Sequence, residues 1–155
     1  MKIQRTCFLF ILFTLFFVGC SEKTEHKSET SVTDMKIDTL ETISGLTWYP
    51  NIEKALQKAK EEKKNVVVMV GENSCRWCKK MKERTLTDSR IQEKLKSYIL
   101  VSVKRSDKNA IKHLDTFDGN IPSFFFIQND KELIDSIVGY FKADDFLDYI
   151  NEIEE

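Results

Sequence analysis

The chain has 155 residues, of which 41% are hydrophobic and 32% charged, with a formal net charge of −1. That length suits one domain, and 5 Gly with 2 Pro exclude collagen-like and proline-rich classes. The near-neutral balance gives no reason to expect nucleic acid as a partner.

The first residues stand apart from the rest. Lys2 and Arg5 precede an apolar run from Cys7 to Val18 that ends in Gly19-Cys20. A charged start followed by a short apolar core reads as a secretory signal, and a spanning helix needs about 20 apolar residues. Phe17-Val18-Gly19-Cys20 resembles a bacterial lipobox; Gly19 and Cys20 match it, while Phe17 departs from the usual Leu. The resemblance implies a lipoprotein signal peptide over residues 1–19, cleavage before Cys20, lipid on the Cys20 sulfur and thus a membrane anchor. The alternative is an ordinary secretory signal with an unmodified Cys20. Residues 20–45 are rich in Ser, Thr, Glu and Lys, show no sustained apolar period, and read as a flexible tether. His26 falls in that solvated stretch.

Residues 46–155 carry the patterns of a folded domain. Pro50-Asn51 opens a helix with Ile52, Ala55, Leu56 and Ala59 on one face. Val66 to Val70 is a continuous apolar run, expected of a strand covered on both faces. Gly71 to Ser74 break it, and a helix begins around Cys75 and weakens near Thr85-Leu86-Thr87. Thr87 or Asp88 caps a continuation carrying Ile91 and Leu95. Tyr98 to Val103 reads as a second buried strand, and Asp107 caps a short helix with His113 on its surface. Gly119-Asn120 turns the chain into Ile121-Pro122 and an aromatic strand. Asn129-Asp130 then makes a hairpin with Leu133 to Val138. Gly139 ends the hairpin, and Asp144 and Asp145 suit the first turn of a last helix whose Phe146, Ile150 and Ile153 share a face. The elements predict an α/β sandwich, a central mixed sheet flanked by helices.

Of the 4 cysteines, Cys7 lies in the leader and Cys20 at the lipobox, leaving Cys75 and Cys78. A pair three positions apart cannot staple distant parts of a fold, so in an exported domain it suits disulfide exchange. Cys75-Arg76-Trp77-Cys78 follows a strand and opens a helix, where unpaired amides and the positive dipole end favour a thiolate on Cys75. Arg76, Lys79, Lys80 and Lys82 add positive charge nearby, and Glu72 and Glu83 oppose it. One helical turn puts Cys78 on nearly the same face, so Cys75 is assigned as nucleophile and Cys78 as resolving thiol. A zinc site needs about four ligands and no second pair exists, so no metal is expected. Lys79 stands where covalent haem attachment needs His.

From Trp48 onward the chain resembles the thioredoxin-fold superfamily. Gly71 to Met81 looks like its thioredoxin-related branch of C-x-W-C thiol:disulfide interchange proteins, and the C-terminal domain of DsbD is a more distant relative by pattern. Ile121-Pro122 before an aromatic strand matches the family's cis-proline loop, and Gly139 the glycine before its last helix. The resemblance implies a thioredoxin-like three-layer sandwich in which the proline loop lies beside the cysteines. It also implies that the backbone of Ile121 docks an extended substrate, with Pro122 and Trp77 on the same docking surface. One departure is informative. Met69 occupies the position of thioredoxin's buried Asp, six residues before the first cysteine, so proton transfer would fall to water or to Glu72.

These residues point to an envelope thiol–disulfide oxidoreductase on the periplasmic side, reducing protein disulfides and recharged by a membrane-linked electron donor. It would be a monomer on a lipid anchor, with no cofactor beyond the Cys75–Cys78 disulfide itself. An oxidant or isomerase using the same cysteines is the first alternative, and a thioredoxin-like binding module with an inert disulfide the second.

Overall fold

A computed structural model describes residues 39–155. The signal peptide, Cys20, His26 and most of the tether lie outside the described residues. Chain order is β1 (Glu41–Ile43), β2 (Leu46–Trp48), α1 (Ile52–Glu62), β3 (Val66–Gly71), α2 (Arg76–Lys80), a π-helical segment (Met81–Thr85), α3 (Ser89–Leu95), β4 (Ile99–Lys104), α4 (Lys108–Ile111), β5 (Ser123–Ile127), β6 (Leu133–Val138) and α5 (Ala143–Glu154).

The main sheet has the order β4-β3-β5-β6. β3 runs parallel to β4 and antiparallel to β5, and β5 pairs antiparallel with β6. Tyr49 extends the sheet at the β4 edge, donating to the Leu100 carbonyl and accepting from the Ser102 amide at 2.7 and 2.9 Å. The central strand is buried along its whole length because helices cover both faces. Its alternating side chains divide accordingly. Val66, Val68 and Val70 pack with Ile52, Ala55 and Ala59 of α1. Val67 and Met69 face the other way, towards Met81, Leu86, Ile91, Leu95, Phe146 and Ile150. Phe124 sits 4.9 Å from Phe146, centroid to centroid, and joins β5 to α5. A mixed sheet thus lies between two helical layers, as the sequence predicts.

The caps follow the sequence as well. The Asn51, Asp88 and Asp107 side chains accept backbone amide protons at the starts of α1, α3 and α4. Asp88, rather than Thr87, caps α3; Thr87 instead bonds back to the carbonyls of Glu83 and Arg84. A strand is already present at Glu41, ahead of Leu46. β1 lies in the stretch read as tether and pairs with β2 in the register Ile43↔Leu46, a two-residue hairpin whose turn residues Ser44 and Gly45 both have positive φ. The Ser44 hydroxyl donates to the Lys82 carbonyl, and Gln92 Nε2 donates to the Ser44 carbonyl. This hairpin therefore clasps the helical layer that carries the cysteines.

Candidate functional site

β3 ends at Gly71, and the next residues swing out of the sheet into α2. Cys75 is the N-cap of that helix, with extended backbone, and its Sγ accepts the Cys78 amide proton at 3.0 Å. The cap that serine or aspartate commonly supplies is thus supplied by sulfur. The two cysteines are joined by a disulfide with Cα atoms 5.2 Å apart. They differ in access. Cys75 is half-buried, whereas Cys78 is 2% exposed and packs close to Gly71, where an added Cβ would stand 3.6 Å from the Cys78 Sγ. An incoming sulfur can therefore reach Cys75 and not Cys78.

Ile121 and Pro122 lead into β5, the antiparallel neighbour of β3, at the end of the sheet where β3 finishes. The Ile121–Pro122 bond is cis, and the Ile121 carbonyl oxygen lies 3.9 Å from Cys75 Sγ. Two hydrogen bonds hold this loop: Ser123 Oγ donates to the Asn120 carbonyl at 2.6 Å, and the Gly139 amide donates to the Pro122 carbonyl at 2.8 Å. The loop and the cysteine pair are thus brought together from positions 46 residues apart in sequence.

Trp77 is 45% exposed, an unusual state for a large aromatic side chain. Its ring stacks on Tyr140 with centroids 5.7 Å apart and planes inclined by 27°. Lys80 Nζ lies 4.9 Å from the Trp77 centroid and 4.3 Å from that of Tyr140, and Arg76 Cζ lies 5.1 Å from the Trp77 ring. Tyr140 was not among the residues singled out from sequence. Its signal was present, an aromatic immediately after the Gly139 that closes β6. The Thr85 hydroxyl donates to the Phe141 carbonyl, and so ties the Tyr140–Phe141 segment to the end of the π-helical turn.

An open cleft of about 310 Å³ beside the disulfide is lined by Glu72, Asn73, Lys79, Lys82 and Glu83. Glu72 spans two loops, accepting from the amides of Asn73 and Ser106, each at 3.2 Å. Hydrogen bonding from the Ser106 side chain, and then from the Asn73 amide, holds its carboxyl below the usual range. It is consequently ionised at neutral pH. Met69, at the position of thioredoxin's Asp, is fully buried in apolar surroundings and brings no titratable group. His113 pairs at 3.2 Å with Glu53 of α1 and does not line the cleft at the cysteines. Among the described residues no group of three or more His, Cys, Asp or Glu is placed to hold a metal ion.

Similarity to known proteins agrees with this architecture. The family model Thioredox_DsbH, described as a protein of unknown function, DUF255, matches residues 39–121. The thiol:disulfide interchange protein DsbD of Campylobacter jejuni strain RM1221 is 32% identical over 100 residues, covering 63% of this chain and 18% of that protein. Spermatogenesis-associated protein 20 of Mus musculus is 36% identical over 62 residues, covering 39% of this chain and 8% of that protein. The chain therefore spans less than about a fifth of the length of these relatives. Among solved structures, a DsbH oxidoreductase superposes with a TM-score of 0.59 at 15% identity, covering 70% of this chain and 83% of that one. The oxidised C-terminal domain of Neisseria meningitidis DsbD superposes with a TM-score of 0.55 at 20% identity, covering 65% and 91%. The fold is thioredoxin-like, and with more than half of its length matched by the family model the chain belongs to the Thioredox_DsbH family.

Proposed function

We propose that this protein is a thiol–disulfide oxidoreductase that reduces disulfides in protein clients. The observation that carries the reading is the unequal access of the bonded pair: an approachable Cys75 at a helix start facing the Ile121 carbonyl, backed by a buried Cys78. The relatives named for thiol:disulfide interchange support it.

In the reducing direction the Cys75 thiolate, stabilised by the Cys78 amide, attacks one sulfur of a client disulfide. A Cys75–client bond forms, the client S–S bond breaks and the second client sulfur leaves as a thiolate. Cys78, once deprotonated, then attacks Cys75 Sγ. The first client sulfur leaves as a thiolate, and the Cys75–Cys78 disulfide takes up the oxidised state. Two electrons pass to the client, and both released thiolates gain protons from water. Glu72 is the ionised carboxylate beside this step and the group we assign to assist proton loss from Cys78. Trp77, Ile121 and Pro122 form the docking surface, with the Ile121 backbone offered to an extended client segment.

A dithiol consumed in this way must be reduced again. In an exported protein that requires an electron donor reaching across the membrane, consistent with a periplasmic location in a bacterial envelope. The lipobox-like Phe17 to Cys20 supports an anchor at Cys20, and no helix among the described residues is long and apolar enough to cross a membrane. We propose a monomer anchored by lipid and using no cofactor other than its own disulfide. The test is turnover of a protein disulfide by the full chain in detergent. Cys75→Ser should abolish it, whereas Cys78→Ser should accumulate a Cys75–client mixed disulfide visible on a non-reducing gel. Turnover that survives Cys75→Ser would contradict the assignment.

A further inference from the structure

The cations around the cysteines are not equivalent. Lys79 pairs with Glu83 at 3.7 Å, and elsewhere Lys58, Lys64, Arg90, Lys94 and Lys96 also pair with carboxylates. Arg76 and Lys80 lie instead over the Trp77 ring, and Lys80 also over that of Tyr140. Among the described residues neither is in an ion pair. A cation held on an aromatic face keeps its full charge, and with part of its rotamer freedom already lost it costs less to engage than a free lysine. Glu72 and Glu83 lie beside the disulfide with Lys79 and Lys82, and Glu83 pairs with Lys79, so Arg76 and Lys80 tip the local balance to positive. An exposed indole flanked by two such cations, next to the reachable sulfur, is therefore a surface complementary to negative charge.

We propose, resting on the redox reading above, that the site selects disulfides carried by acidic polypeptide segments, with client Asp or Glu close to the reacting cysteine meeting Arg76 and Lys80. The apolar part of the segment lies on Trp77 and Tyr140. Lys80 is thereby a specificity-determining residue rather than a catalytic one, since it touches the flank of the client and not the sulfurs. Pairs at such an exposed rim act mostly on the association rate and weaken with salt.

The test uses the reduced full chain in detergent and peptides whose single cysteine is capped as a 2-pyridyl disulfide. Attack by Cys75 on the peptide sulfur releases pyridine-2-thione, which is read by absorbance. Three peptides differ only in carrying Glu, Gln or Lys on both sides of the cysteine, and each rate is divided by that peptide's rate with mercaptoethanol. The Glu peptide is expected to react about fivefold faster than the Lys peptide at low salt, two rim pairs each contributing about two- to threefold. The ratio should approach one at about 1 M salt, where the Debye length is about 3 Å. It should also approach one in the Arg76→Gln/Lys80→Gln double variant at low salt. Equal rates for the three peptides would overturn the inference and leave the redox reading standing. So would a Glu preference that persists undiminished in the double variant. Absence of reaction with every peptide would remove the redox reading and the inference together.

Discussion

Gly71→Ala and Gly139→Ala make the same chemical change at the two glycines that flank the site, and the structure gives them opposite signs. Gly139 has φ of +112°, and nothing lies within 4 Å of where a Cβ would be placed. Space is available, so the cost there is backbone strain alone. Holding a non-glycine residue in such a region costs about 1–3 kcal/mol. The unfolded chain loses freedom on the same substitution, which offsets about 0.4–1 kcal/mol. Taking the middle of each range, the net expectation is a loss of about 1.3 kcal/mol. At Gly71 an added Cβ would stand 3.6 Å from the Cys78 Sγ and 3.7 Å from its Cβ, ordinary contact distances within a regular strand. Only the unfolded-state term and the better strand residue operate there, so Gly71→Ala should gain about 0.4–1 kcal/mol. Urea denaturation of the oxidised full chain in detergent reads both, with midpoints compared at a common slope. Gly139→Ala should also slow client exchange, because its amide holds the Pro122 carbonyl and its neighbour Tyr140 carries the Trp77 stack. A Gly139→Ala midpoint equal to wild type, or a Gly71→Ala loss as large, would refute the reasoning.

Three further outcomes follow from particular contacts. Asn51→Ala removes the side-chain acceptor for the Lys54 amide at 2.9 Å and should cost about 0.5–2 kcal/mol in the same denaturation experiment. Tyr98→Phe deletes a hydrogen bond of 2.7 Å to Glu154 Oε1 that pins the end of α5; a bond to a charged group implies a loss of about 1.5–3 kcal/mol, to be read as a lower thermal midpoint. Arg90, bonding through both its side chain and its amide, holds the Asp88 carboxyl at about 2. A carboxyl lowered on folding contributes stability above its ordinary value near 3.8 and loses it as pH falls towards about 2. Asp88→Asn keeps the cap and removes the charge, so it should be less stable than wild type at pH 6 and equal to it near pH 2, as followed by circular dichroism. A stability gap independent of pH would contradict that assignment.

Much of this architecture was legible because local and global signals coincide. The run Val66 to Val70 is apolar at every position, and the structure covers both of its faces; the Asn51, Asp88 and Asp107 caps sit where their side chains can reach amides two or three residues on. Cys75-Arg76-Trp77-Cys78 between strand and helix gave the sulfur positions, and Ile121-Pro122 the facing loop. The β1–β2 hairpin was hidden by its surroundings. Ser44-Gly45 is a two-residue turn signal, but the three-residue strand Glu41–Ile43 adjoins a polar stretch and gains its partner only by pairing with β2. The turn signalled by Asn129-Asp130 extends to Lys131, which adopts φ of +82°, a conformation that its side chain does not announce. The π-helical segment from Met81 to Thr85 carries no residue pattern of its own. It appears where Thr85 is buried and bonded to Phe141, a contact between positions 56 residues apart. The Trp77–Tyr140–Lys80 cluster has the same character, since tertiary structure alone makes neighbours of α2 and the segment after β6.

The most direct test of the central claim is the reduction potential of the Cys75–Cys78 couple, measured by equilibrating the full chain in detergent against glutathione and dithiothreitol buffers. A reductase of protein disulfides should poise near about −270 mV, in the range of thioredoxin. A value near about −120 mV would make the pair an oxidant, and a disulfide that does not exchange with either buffer would contradict a redox role altogether.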